Sequence, residues 1–409
     1  MKHSYQRKAV AASIVGLFSS TAAQAIEVQA GDWKFTANGN VNVHYIHSSC
    51  ENHPDAIVTV GSACAVDGGG EKNVSSVSNG LLPAALVFGV ATTQDGYDIT
   101  GTFGFYPGIS TNDGGSPNLQ SGSSNVALGT TGLDVRQVFM TFGNKDIGTF
   151  SLGRNFGLFG FDAIINDMTL PGVGVGGAMS TGAPANTSLG SIGFGYIYTD
   201  TLAQMNYTTP SVLGGLTLTL GIFDPIEPLF QTGATAEGQP GFHGKLAYKA
   251  GDLYFSSSFI TQTQHLPSGD DYRSTGVDFA AKAKFGNLDL LGSYYFGSGL
   301  GTTGLFVLSD DGFGNKRDSD GYLLQGTYTI NKTKLGVNYG VSKLDFAGSA
   351  DRAAAPNLLE KNSKVTGGVY HSLTKNLTLL AEFSDVTTKA HDGGKNTSNN
   401  FNVGAFLSF

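Results

Sequence analysis

The sequence predicts an all-β protein: a transmembrane antiparallel β-barrel of sixteen strands. Three observations carry that expectation. Apolar and polar residues alternate strictly in segments of about ten residues, the length of a tilted strand crossing a bilayer. Tight turns exchange regularly with long Gly/Asn/Ser/Asp loops. Charged residues make up only 14% of the 409 residues, with 59 glycines and 11% aromatics, whereas typical globular domains carry about 25% charge.

The segment before the first strand reads as an export signal. Lys2, Arg7 and Lys8 head an apolar run from Ala9 to Leu17, and Ala23-Gln24-Ala25 closes it with a small-residue cleavage pattern. The run is too short to span a bilayer as a helix. Cleavage after Ala25 leaves 26–409 as the barrel domain. It removes three basic and no acidic residues, taking the formal charge from −8 to −11. An acidic balance disfavours a nucleic-acid partner.

Strand one sets the pattern. Trp33, Phe35, Ala37, Gly39, Val41, Val43 and Tyr45 share one parity, and Lys34, Thr36, Asn38, Asn40, Asn42 and His44 share the other. Period two sends these sets to opposite faces. One such strand would also fit a soluble sandwich, so the repetition along the chain decides. The expected strands continue with Leu81 to Thr93, Tyr97 to Phe105, Leu133 to Phe142, Thr149 to Arg154, Leu202 to Thr209, Leu216 to Phe223 and Phe242 to Lys249. They go on with Leu253 to Thr261, Val277 to Phe285, Leu288 to Tyr295, Tyr322 to Ile330, Leu335 to Asp345, Val365 to Ser372, Leu377 to Val386 and Phe401 to Phe409. Long loops are expected near 49–79, 107–130, 155–200, 224–240, 262–273, 296–320, 346–363 and 387–399. Short turns at one rim and long loops at the other are the outer-membrane barrel arrangement. Closure follows because an unpaired backbone amide in hydrocarbon costs several kcal/mol. Sixteen strands leave an interior too wide for wall side chains alone to fill.

On the fourth strand, alternation assigns Leu133, Val135 and Phe139 outward and Asp134, Arg136, Val138 and Met140 inward. An arginine facing lipid at midplane would cost roughly 2–4 kcal/mol. Arg136 is therefore read as luminal, or else as a structural partner of Asp134 or of a loop carboxylate. Lys34 and His44 share the polar face of strand one and are candidate wall residues, although solvation at a rim explains either. Asp278, Lys282 and Lys284 share another polar face, as a salt-bridged wall or a selectivity device. Cys50 and Cys64, the only cysteines, are expected to form one disulfide in an oxidising compartment, closing a loop. Metal binding by the pair is the weaker reading, since no His/Asp cluster completes a site.

Several local stretches are more specific. Asp134-Val135-Arg136-Gln137 leads a strand ending in Phe142-Gly143. Phe150-Ser151-Leu152-Gly153-Arg154-Asn155-Phe156-Gly157 opens a long insertion carrying Asp162 and Asp167-Met168-Thr169-Leu170-Pro171-Gly172. With the terminal Phe409, these features resemble the general bacterial porins of Gram-negative outer membranes over most of the mature chain. The resemblance implies a third loop folded into the barrel and narrowing it. It also implies a water-filled channel for small hydrophilic solutes and ions, contact with outer-membrane lipid, a homotrimer, and Phe409 as an assembly signal. It makes Asp162 and Asp167 loop carboxylates and Arg136 a wall arginine, and Arg154 a candidate loop anchor. The two carboxylates would otherwise cap turns or bond within the loop.

The chain also departs from that pattern. Gly172 stands where many relatives carry a glutamate, Asn40 where a wall lysine is expected, and 191–209 contain no arginine. The acidic-against-basic constriction is thinned, which leaves a substrate-selective channel open as an alternative. A surface adhesin or receptor barrel could share the fold. No Gly-x-Ser-x-Gly elbow, His-Glu-x-x-His motif or phosphate-binding Gly-rich loop occurs, so neither an enzyme nor a cofactor is expected.

Overall fold

In the computed structural model the described residues are 25–50, 55–64, 73–109, 133–176, 187–227, 234–236, 238–267 and 269–409. The expected signal up to Gln24 and most of the 107–130 loop lie outside them. The strands, in chain order, are β1 Ile26–Ala30, β2 Trp33–Cys50, β3 Asn73–Ser78, β4 Ala85–Gln94, β5 Tyr97–Pro107, β6 Leu133–Asn144, β7 Gly148–Phe156, β8 Thr201–Thr208 and β9 Leu216–Phe223. They continue as β10 Gly241–Ala250, β11 Leu253–His265, β12 Asp271–Phe285, β13 Leu288–Ser298, β14 Asp318–Ile330, β15 Thr333–Leu344, β16 Leu359–Ser372, β17 Leu377–Ala390 and β18 Lys395–Ser408. Two short helices, α1 Phe161–Asn166 and α2 Ser349–Ala354, lie in loops.

The wall is a closed antiparallel barrel of sixteen strand positions. β18 pairs with β2, Val403 facing Tyr45, and β9 pairs with β10. β1 and β18 share one side of β2, and β3 and β4 share the other. The expected strand from Leu81 is thus broken: 79–84 leave the wall between β3 and β4. The cause lies in the inward asparagines of β2. Asn42 donates to Leu82 O (2.8 Å) and accepts from Gly80 N (2.8 Å), and Asn40 donates to Pro83 O (3.2 Å). Their amides replace the ladder bonds that the detour gives up.

The outer face is apolar. On β2, Val41, Val43 and Tyr45 are more than 40% exposed, while Asn40, Asn42 and His44 are buried inward. Aromatics crowd the short-turn rim at Tyr97, Phe150, Tyr248, Phe285 and Tyr328, where an amphipathic ring suits the headgroup boundary. Most strands run beyond their expected ends. β12 begins at Asp271 rather than Val277, and β18 at Lys395 rather than Phe401. These extensions are polar on both faces, so alternation of hydropathy does not mark them.

The parity assigned to β6 needs correction. Val138 and Met140 are exposed on the outer face, and Phe139 is buried inward. The register shifts where Gly104 opposes Gln137 while Phe105 opposes Val135. Arg136 is the extra, bulged residue, and a single bulge reverses the facing of every residue after it. Arg136 and Gln137 both end up buried.

The interior contains its own oil. One cluster joins Ala163, Ile164, Val175, Leu189, Ile192 and Phe194 of the third loop to Leu291, Leu323 and Val386 of the wall. A second joins Phe159 and Ile197 to Leu202, Phe223 and Ile260, with Leu300, Leu305 and Phe306 from the loop after β13. Inward leucines on a barrel wall would be costly against water, and these meet loop side chains instead.

Candidate functional site

The described parts of the third loop, 157–176 and 187–200, lie inside the barrel, stitched to the wall of β12–β17. Asp278 accepts from Gly160 N (2.5 Å). Gln325 accepts from Met168 N (2.6 Å) and donates to Asn166 O (2.8 Å). Lys364 Nζ donates to Gly190 O (2.7 Å), and Ser342 Oγ accepts from Gly195 N (3.0 Å). Gly340 allows the approach: a Cβ there would collide with Phe194 O. The tightest node is Glu382, whose carboxylate accepts from Val173 N and Gly174 N (both 2.8 Å) and from Tyr370 OH (2.6 Å).

Each candidate from the sequence has a definite place. Asp167 is 3% exposed. It accepts from Tyr196 OH (2.9 Å), Asn338 Nδ2 (3.1 Å) and Thr169 N (2.9 Å). Burial first, then the Asp167 carboxylate, push the Tyr196 hydroxyl well above the ordinary phenol range, so it remains a donor. Asp162, on α1, pairs with Lys245 Nζ (3.4 Å) and accepts from Tyr254 OH (3.0 Å). Arg136 is buried, bonded through Nε and Nη2 to Asp134 (3.2 and 3.1 Å) and set over the Tyr106 ring at 5.2 Å. Lys34 lies near the short-turn rim, half-exposed and paired with Glu27 at 2.6 Å. His44 is wholly buried beside Gly80 and Gly404, with neither ring nitrogen bonded.

Arg154 sits on the outward parity of β7, opposite Val138 and Ala203. Its Nε is buried without a hydrogen-bond partner, and no carboxylate lies within salt-bridge distance of it among the described residues. Its charge acts on Tyr198 and Asp200 at the end of the loop, while the loop's hydrogen bonds come from the wall residues named above. Cys50 and Cys64 form the expected disulfide. It holds 60–63 against the adjoining wall of β16 and β17, where Ala63 N donates to Thr388 Oγ1 (2.8 Å) and Asn362 Nδ2 donates to Gly61 O (3.2 Å).

Sequence reasoning missed Glu382, Tyr370, Lys364, Gln325 and Asn338. A signal existed: all are polar residues on the inward parity of β14–β17, and Glu382 and Lys364 are long charged side chains facing in from strands. Away from the loop, inward Thr100, Thr102, Thr141 and Ser151 keep partial exposure. The polar lumen runs along that side.

A closed barrel, apolar outside and polar within, narrowed by a loop bonded to its inner wall, defines an outer-membrane channel. The model of the Gram-negative porin family matches residues 9–391, and the chain belongs to that family. No curated protein sequence matches it significantly. Among solved structures, it is similar to the outer-membrane channel DcaP of Acinetobacter baumannii, at 15% identity and TM-score 0.69, covering 93% of this chain and 99% of that one. It is also similar to an anion-selective porin from Comamonas acidovorans, at 15% identity and TM-score 0.62, covering 92% and 100%. A trimer form of OmpT from Vibrio cholerae matches at 13% identity and TM-score 0.51, covering 92% and 99%.

Proposed function

We propose that this channel is a passive route for small hydrophilic solutes and ions, with no catalytic step, and that it works as a homotrimer in the outer membrane. The observation that carries this reading is the lopsided lumen. The third loop is bonded along β12–β17, while the inward threonines and serines of β5–β7 stay partly exposed opposite it. Small neutral hydroxyls bind no solute class tightly, which suits diffusion over capture. Purified protein added to a planar bilayer gives stepwise conductance increments on this reading; folded protein that never conducts sinks it. Cross-linking in the membrane tests the trimer, whose only support is the likeness to a trimeric neighbour.

A second reading, a channel selective for one solute class, draws on the state of the loop carboxylates. Asp162 is paired with Lys245, and Asp167 is bonded on both oxygens, so neither offers a free charge to a passing cation. Concentration-dependent block of the current by one class of solute favours this reading.

A further inference from the structure

The inner wall between loop α1 and the short-turn rim carries an unbalanced set of charges. Lys249 and Lys282 lie in one row of the sheet, both level with Tyr254. Lys284 lies two residues further along β12, and Lys334 stands inward on β15. The register puts Lys249 and Lys282 about 10 Å apart at the backbone, and Lys282 and Lys284 about 7 Å. None of the four has a carboxylate within 4 Å among the described residues, in contrast to Lys34 and Lys245, which are paired. Lys282 Nζ donates to Asn166 Oδ1 (3.1 Å), and Lys334 Nζ stands over the Tyr370 ring at 4.8 Å. Both contacts position an ammonium without cancelling its charge.

Across the lumen the inner face of β5–β6 is mostly neutral. Thr100 bonds Thr141 there (2.6 Å). Asp98 is an inward carboxylate there, and it accepts from Thr93 (2.7 Å). Asp289, level with Lys284, is a counter-charge on the basic side, and Asp289, Glu382 and Asp167 all act on Lys334, so Lys249, Lys282 and Lys284 carry most of the surplus. Asp95 and Asp252 belong to the exposed turns at the rim, where water screens them.

We propose, building on the channel reading above, that this lysine wall makes the passage select for small anions. One ammonium in water attracts an anion weakly, about 1 kcal/mol at contact distance. Lys249, Lys282 and Lys284 lie within about one Debye length, roughly 10 Å at 0.1 M salt, of a neighbour in the set, and Lys334 interacts electrostatically with Lys282, so their fields add. The apolar outer face behind them leaves little solvent on that side to screen the field, which is focused into the lumen. A solute leaving the constriction beside α1 passes the row of Lys249 and Lys282, then Lys284 nearer the mouth.

Reversal potentials in a potassium chloride gradient test this, using the full-length mature protein in planar bilayers. Wild type is expected to favour chloride. Replacing all four (Lys249→Gln, Lys282→Gln, Lys284→Gln and Lys334→Gln) moves the permeability ratio at least roughly twofold towards potassium. The exposed pair alone, Lys249→Gln with Lys284→Gln, touches no loop bond, and moves it in the same direction if the fuller variant does not fold. The four arginine replacements restore the preference. Inorganic phosphate added on the short-turn side reduces the chloride current of wild type more than that of the glutamine variant. A conducting wild type that favours potassium, or a ratio indifferent to the lysines, overturns the proposal while leaving the channel reading intact. A folded barrel that conducts nothing removes the channel reading itself.

Discussion

The carboxylate of Glu382 fills the space that a side chain at Gly172 would occupy. The two residues lie 210 positions apart in the chain, one on the third loop and one on β17. Glu382 takes the backbone N–H groups of Val173 and Gly174, both at 2.8 Å. The resemblance to relatives puts an acid on the loop after Pro171. Here the acid comes from the wall, and the loop residue is reduced to hydrogen to admit it.

Substitution at either partner should therefore loosen the loop. Gly172→Ala forces its Cβ into the carboxylate, and overpacking of this kind costs about 1–3 kcal/mol. Glu382→Ala removes bonds worth about 1.5–3 kcal/mol each when one partner is charged. Both variants should show noisier open-channel current and earlier thermal unfolding of the folded barrel.

The loop carboxylates should behave differently from one another. Asp167→Asn keeps its size but weakens the Tyr196 and Asn338 contacts, so loop order should fall with little change in ion preference. Asp162→Asn unpairs Lys245 and should move the preference towards anions. Reversal potentials measured on the two variants side by side separate these outcomes, and equal shifts would contradict the assignment.

Arg136 and Asp134 form a buried pair, with side-chain exposures of 5% and 1%. Removing one member breaks a buried ion pair, a loss of about 3–5 kcal/mol. Arg136→Ala should lower the denaturant midpoint accordingly, while replacing both residues by apolar ones should recover most of it.

The loop bearing α2 is held by Arg317, which bonds Asp351 at 2.8 and 2.6 Å. Burial alone would raise the Asp351 carboxyl. The Arg317 hydrogen bonds, the Ala347 amide and the Arg317 charge outweigh it and hold the carboxyl below its ordinary value. A depressed folded value means the stabilisation is complete above the unfolded carboxyl pKa, about 3.9, and is lost as pH falls through the lower folded value. Protease cutting within 346–358 should be steady from neutral pH down to about 4 and rise below that. Asp351→Asn should be cut readily at neutral pH.

The Cys50–Cys64 bond closes a short loop, for which chain entropy assigns about 3 kcal/mol. Replacing both cysteines by serine should expose 55–64 to proteolysis and enlarge single-channel conductance, since 60–63 lie against Thr303, Asn362 and Thr388.

Much of the wall was legible because lipid imposes a periodic demand on every strand. Val41, Val43 and Tyr45 announce the outer face of β2, and the turn at Gln94-Asp95-Gly96 fixes where β4 meets β5. Legibility ended where alternation stopped carrying information. The bulge at Arg136 is one extra residue with no signature of its own, and it inverted the facing assigned to Val138, Phe139 and Met140. The break at 79–84 depends on Asn40 and Asn42 reaching some forty positions along the chain. The constriction was harder still. Asp167 and Asp162 were visible as loop acids, but Asn338, Lys245 and Tyr254 come from the wall strands and Tyr196 from a later turn of the same loop, meetings that only the tertiary fold fixes. Arg154, which the loop motif suggested as an anchor, shares its register row with Val138 and Ala203, and it reaches the loop only through its charge on Tyr198 and Asp200.

The leucines, isoleucines and phenylalanines that face the centre of this barrel have a mechanical consequence. For the third loop to swing aside, Leu291, Leu323 and Val386 would lose their cover all at once. The sieve is cemented by the same force that packs a globular protein, so its aperture belongs to folding and not to gating. The largest solute admitted should stay constant across applied voltages, and widen only at the temperature where the whole molecule melts.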